Sequence, residues 1–168
     1  MAFLAPFNLQ RWIEDNRHLL KPPVGNKMLW NSGFMIMVVG GPNQRADFHV
    51  NPGEELFYQV EGDIVLRVME DGKPRDIPIK QGEIFLLPAN VPHSPQRPPN
   101  TVGLVIEQAR PESADDHLRW YCPSCGAQLH DAQFHLVDLG TQLKPLIEKV
   151  RSSPELRTCK KCGQVLEV

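Results

Sequence analysis

No stretch of this chain comes near the roughly 18 consecutive apolar residues that a membrane-spanning helix requires. The amino-terminal residues also lack the basic segment and apolar core of a signal peptide, so a cytoplasmic location is expected. Net charge is almost absent. With 18 Lys and Arg against 20 Asp and Glu, the balance of -2 gives no global attraction to nucleic acid or an anionic membrane, and no such partner is expected. No internal repeat is visible, and no cysteine stands outside two Cys-x-x-Cys pairs, Cys122/Cys125 and Cys159/Cys162. Without a secretory leader, those pairs read as metal knuckles rather than disulfides. What is present is the composition of an ordinary soluble globular chain: 168 residues, 41% apolar and 23% charged, enough for one domain with a small appendage.

The 16 prolines punctuate loops between short segments. Residues 8–20 place Leu9, Trp12, Ile13, His18 and Leu19 at broadly helical spacing, with Asn8 as a cap and Lys21-Pro22-Pro23 as a stop. From Trp30 onward the texture turns to short β-rich pieces, at 34–39, 56–61, 64–69, 76–80, 83–87 and 102–108. Asp71-Gly72 is a hairpin signal, and Gly40-Gly41-Pro42 and Pro98-Pro99-Asn100 mark further turns. Short strands at near-regular intervals predict an all-β dominated fold, an antiparallel sandwich or small barrel over residues 1–110 with an N-terminal helix. After Gln108 the strand pattern stops. Residues 112–120 are polar, 131–151 read as a strand and then a helix, and 111–168 is expected to be an extension clipped by metal and packed on the barrel.

Three residues, His49, Glu55 and His93, sit where such a barrel would need them to hold an open metal site. A lone strand histidine is usually structural, and His18, His117, His130 and His135 are read that way. Glu55, however, enters the run Leu56-Phe57-Tyr58, and His93 follows Ile84-Phe85-Leu86-Leu87-Pro88. Inward placement there costs desolvation that a metal offsets. Glu54 is the alternative ligand, because neighbouring strand residues face opposite sides. The surrounding pattern, with Gly62 after Glu55 and Gly82, Pro88 and Asn90 before His93, resembles the two motifs of the cupin barrel. It departs from them at Asn51, where a second histidine would stand, and at Arg97, where the closing asparagine would stand. Two histidines and one carboxylate form the facial set that suits non-heme Fe(II) with positions left open. Arg45 and Arg97 flank the two histidines, and Glu107 lies in the apolar strand Val102-Gly-Leu-Val-Ile106. Two guanidinium groups and one carboxylate imply a small substrate bearing an acidic group and a hydrogen-bond donor.

The segments Arg45-Ala-Asp-Phe-His49-Val-Asn-Pro-Gly-Glu-Glu55-Leu-Phe-Tyr-Gln59 and Pro88-Ala-Asn-Val-Pro-His93-Ser-Pro-Gln-Arg97 resemble the 3-hydroxyanthranilate 3,4-dioxygenases. Within that family the two cysteine pairs are similar to the bacterial and fungal branch. The resemblance implies a cupin (double-stranded β-helix, jelly-roll) barrel that opens the ring of 3-hydroxyanthranilate with O2. The product, 2-amino-3-carboxymuconate semialdehyde, would cyclise to quinolinate, a precursor of NAD on the kynurenine route. It implies catalytic Fe2+ on His49, Glu55 and His93, substrate contacts from Arg97, Glu107 and Glu55, and Arg45 beside bound O2. Arg45 and Glu55 would thus be the catalytic side chains, and the assembly a homodimer.

Cys122-Pro-Ser-Cys125-Gly and Cys159-Lys-Lys-Cys162-Gly form a strong signal for a closed four-thiolate site. Such a site is structural, and Fe or Zn would suit it equally. Rival readings are another cupin dioxygenase acting on a different acidic aminophenol or a thiol, and a ligand-sensing cupin without turnover. A DNA-associated regulator would use Arg157, Lys160 and Lys161, too small a basic cluster for that role. Asn26 and nearby loop residues are the expected entrance.

Overall fold

The computed structural model describes residues 5–21, 25–137 and 139–168. Pro22 and Pro23, expected to stop the first helix, lie outside the described residues. Helix α1 (Leu9–Asn16) begins where the Asn8 side chain accepts a hydrogen bond from Arg11 N at 2.9 Å, and a single 3-10 turn, Arg17–Leu19, follows it.

Eleven strands follow: β1 (Asn26–Asn31), β2 (Phe34–Gly40), β3 (Phe48–Val50), β4 (Glu55–Glu61), β5 (Ile64–Glu70), β6 (Lys73–Ile79), β7 (Ile84–Leu87), β8 (His93–Gln96), β9 (Val102–Gln108), β10 (Asp116–Tyr121) and β11 (Gln128–Phe134). Helices α2 (Leu139–Ser152) and α3 (Pro154–Arg157) come after them. The strands form two antiparallel sheets, in the orders β1-β2-β9-β4-β7 and β11-β10-β3-β8-β5-β6. Asp71 and Gly72 take φ of 50° and 74°, turning the β5–β6 hairpin as expected. The end of the strand pattern at Gln108 is overturned, since β10 and β11 lie beyond it. β10 hydrogen-bonds to β3, so the expected boundary at 110/111 falls in a loop between two strands of the barrel sheets.

Alternation places the core. Met37, Phe57, Leu87 and Val105 of the first sheet meet Ile64, Leu66, Val68 and Ile79 of the second in one buried cluster, so the sheets pack face to face as a jelly-roll barrel. Val38, beside Met37, points to the opposite face and packs with Val102, Ile13 and Leu20 beneath α1. A third cluster joins Leu118 and Trp120 of β10 to Val150 of α2. The inward rows that carry the apolar core also carry ionisable side chains: Glu55, Phe57 and Gln59 alternate along β4, and Val105 and Glu107 along β9.

Leu66 is fully buried between the sheets. Leu66→Ala is expected to cost about 2–5 kcal/mol in equilibrium denaturation, against about 0.5 kcal/mol or less for Glu112→Ala in an exposed loop.

Candidate active site

Strands β3 and β8 are neighbours in register, with His49 directly opposite His93 and their ring centroids 5.3 Å apart. Glu55 opens β4, which pairs with β9 so that Glu55 stands opposite Glu107. The ligand atoms of His49, Glu55 and His93 lie within 4.8 Å of one another, and all three residues are buried. Glu54 is exposed, which decides the ligand choice in favour of Glu55.

Hydrogen bonds fix each ring. His93 Nδ1–H donates to Val91 O at 3.0 Å, leaving Nε2 to face Glu55 Oε2 at 3.1 Å. His49 Nε2–H donates to Asp116 Oδ2 at 2.6 Å, so Nδ1 is the nitrogen that remains for a metal. Burial lowers the His49 pKa and favours the neutral imidazole that a metal needs. Burial opposes the Glu55 charge, yet the neighbouring His93 and His49 and the Asn51 amide bring its pKa down to about 2. The donor set of two imidazoles and a carboxylate therefore fits one catalytic metal ion.

Behind the triad runs a buried charge network that the sequence reading missed. Arg110 donates to Asp116 Oδ1 and Oδ2 at 2.7 Å each and to Glu107 Oε2 at 2.6 Å. Asn51 Nδ2 also donates to Glu107 Oε2, at 2.6 Å, while its Oδ1 accepts from Gly53 N at 2.7 Å. The position where a second cupin histidine would stand thus orders Glu107 and the turn into β4. Burial works against the Asp116 charge, but Arg110 and His49 outweigh it and hold its carboxyl below the usual range. Burial, with Glu55 close by, lifts Glu107 to about 8 despite Arg110. Asp116 has a sequence signal: Asp116, Leu118 and Trp120 alternate as the buried positions of β10.

Three buried atoms have no hydrogen-bond partner among the described residues: Arg157 Nε in the C-terminal extension, and Arg97 Nε and Glu107 Oε1 in the barrel. Arg97 is 1% exposed, and burial draws its pKa down to about 10, with Glu55 the one charge that sustains it. Its Nη1 donates to Gln59 Oε1 at 3.2 Å. A buried cation without an anion and a buried acceptor without a donor are costly, and a ligand carrying both complements removes the cost. Arg45 stands apart. Its guanidinium is ion-paired with buried Asp47, and among the described residues no hydrogen bond joins it to the triad. It lines a surface cavity of about 800 Å³ with Asn26, Lys144 and Arg151.

The four cysteines also converge. Cys122 Sγ lies 3.5 Å from Cys162 Sγ, and Cys125 Sγ lies 3.6 Å from Cys159 Sγ. Gly126 and Gly163 close the two knuckles at φ 71° and 78°, a backbone state that favours glycine. Of the other histidines, His18 is exposed, His117 donates to Asp131 at 2.6 Å, His130 packs on Trp120, and His135 donates to Ala114 O at 2.9 Å.

Residues 1–151 match the family of 3-hydroxyanthranilic acid dioxygenases. The chain belongs to that family. A 3-hydroxyanthranilate 3,4-dioxygenase of Neurospora crassa is 52% identical over 159 residues, covering 95% of this chain and 88% of the relative. The enzyme of that name from Scheffersomyces stipitis is 54% identical over 158 residues, 94% and 93% of the two chains. Among solved structures, a cupin-2 domain protein from Shewanella frigidimarina aligns with TM-score 0.48 and 16% identity over 57% of this chain and 91% of that one. Membership in a dioxygenase family does not favour the ligand-sensing and DNA-associated readings.

Asp116→Asn withdraws the carboxylate that holds His49. Competition titration against a chelator should show divalent-metal affinity at the triad about 10- to 100-fold weaker than in the wild type. Unchanged affinity would show that Asp116 does not orient the ligand.

Proposed function

We propose that the chain is a non-heme Fe(II) ring-cleaving dioxygenase that converts 3-hydroxyanthranilate and O2 to 2-amino-3-carboxymuconate semialdehyde, the quinolinate and NAD precursor. The observation that carries this reading is the presence, in one barrel interior with the triad, of a buried Arg97 that makes no ion pair among the described residues and a buried Glu107 Oε1 without a donor. His49, Glu55 and His93 hold the iron. When bound, Fe(II) supplies open coordination positions and the electronic route between triplet O2 and a closed-shell ring.

Arg97 takes the substrate carboxylate in its guanidinium fork, which fixes the ring's orientation. Glu107 accepts from the amine or hydroxyl through Oε1, while Arg110 and Asn51 hold Oε2 in place. Glu55, opposite Glu107 across β4 and β9, is both ligand and neighbour of the substrate. We place Arg45 beside bound O2 on the strength of the family resemblance, with Asp47 as its anchor.

The four-cysteine site we assign to one structural metal, Fe or Zn. It staples the C-terminal residues to the turn that follows β10, which lies against the β5–β6 hairpin through the close approach of Gly126 to the Gly72 carbonyl. No helix among the described residues is long and apolar enough to cross a membrane. A four-thiolate metal site suits a reducing, cytoplasmic setting. A homodimer is supported by exposed Ile84 and Leu86 on the edge strand β7. No role with nucleic acid or membranes is assigned.

The test is anaerobic reconstitution with Fe(II), then air and 3-hydroxyanthranilate, with the semialdehyde followed by absorbance and His49→Ala as control. Iron-dependent product is expected in the wild type and none in the variant. Full iron occupancy without turnover would remove the substrate assignment.

A further inference from the structure

We propose that Gln59 is a positioning residue: its side-chain amide holds the Arg97 guanidinium without neutralising it, and Gly103 leaves the space this requires. The proposal rests on the functional reading above and adds the device that selects a carboxylate-bearing substrate.

Gln59 is 1% exposed and faces into the barrel from β4, with Gly103 of β9 as its cross-strand partner. Its backbone N donates to Glu83 O at 3.0 Å, and its side-chain Nε2 donates to Glu61 O at 2.8 Å. Because the NH2 end is committed to a backbone carbonyl, the Oε1 end must point the other way, where it accepts from Arg97 Nη1 at 3.2 Å. The Arg97 backbone is pinned as well, exchanging hydrogen bonds with Asn43 at 2.8 and 2.9 Å.

Elsewhere in the chain, arginines on the sheets and their loops meet carboxylates: Arg45 with Asp47, Arg67 with Asp76, Arg110 with Asp116 and Arg119 with Asp131. Arg97 is more buried than any of these, yet its hydrogen-bond partner is a neutral amide. A carboxylate in that place would fill the fork, and an incoming anion would have to displace it. An amide orients one nitrogen, leaves Nε unpartnered and keeps the positive charge available. Gly103 makes this possible, since a Cβ there would stand 2.7 Å from Gln59 Oε1 and 3.1 Å from Arg97 Nη1. The nearest of these atoms is the end of a side chain, so Gly103→Ala displaces the amide oxygen first, while the Tyr58 carbonyl at 3.2 Å must give by a few tenths of an ångström.

The experiment compares metal-loaded wild type, Gln59→Glu and Gly103→Ala. It measures kcat and KM for 3-hydroxyanthranilate and the anaerobic Kd of 2-aminophenol, which keeps the amine and hydroxyl but lacks the carboxylate. Gln59→Glu, which fills the fork from within, should raise KM for 3-hydroxyanthranilate about tenfold or more, with kcat within about threefold and the 2-aminophenol Kd within about twofold. Gly103→Ala should show the same selective loss at unchanged metal content. An unchanged KM in both variants, or an equal loss for the two ligands, would overturn the positioning role. A metal-loaded wild type that turns over no 3-hydroxyanthranilate would overturn the functional reading beneath it, and the two failures are therefore distinct.

Discussion

Ionisable side chains on the inward face of a closed β-sheet lose their water, and each must recover that cost from a partner inside the barrel. His49, Asn51, Glu55, Gln59, His93, Arg97, Glu107 and Asp116 are all buried, on rows that elsewhere carry the apolar core. Most of the cost is met by a continuous network. Arg110 joins Asp116 to Glu107, Asp116 holds His49, Asn51 ties Glu107 to the turn before β4, and Glu55 faces His93. The network is incomplete at the triad, at Arg97 and at Glu107 Oε1. There the remaining valences match one metal and one small amphoteric ligand, so the stability of the barrel interior and its binding chemistry share a cause.

The C-terminal extension takes part in this arrangement. β10 brings Asp116 to His49, and the same strand runs through Trp120 and Tyr121 into the first cysteine knuckle. α2 packs on β10 through Leu118, Trp120 and Val150. The knuckles repeat one hydrogen-bond pattern, with Cys122 N donating to Ala127 O and Cys159 N to Gln164 O, each at 2.8 Å. Four converging cysteines at one end of β10 and the partner of His49 at the other tie the extension to the barrel at two points.

Much of the barrel was legible because strands such as β4, β5 and β9 combine β-branched and aromatic residues with regular alternation. β3 and β8 escaped: they are short, and their histidines, Ser94 and Pro95 do not read as strand formers. β10 escaped because Asp116 and polar neighbours mask the alternation of Leu118 and Trp120, whereas the strand-then-helix reading of 131–151 overlaps β11 and α2. Glu55, His93 and Glu107 could be picked out as costly residues in apolar surroundings, Arg97 by its place four residues after His93, and the cysteine pairs by spacing. Their partners could not. His49 and Asp116 are 67 residues apart, and Gln59 and Arg97 are 38 apart, separations that only the sheet order closes. Arg45, singled out by its place four residues before His49, pairs with Asp47 between them.

The most direct test of this account is a crystal structure of the metal-loaded protein with 3-hydroxyanthranilate under anaerobic conditions. The account predicts one metal held by His49, Glu55 and His93, the ligand carboxylate on the Arg97 guanidinium, and a ligand N–H or O–H donated to Glu107 Oε1. A ligand seated in the surface cavity beside Arg45, with Arg97 and Glu107 Oε1 still unpartnered, would contradict it.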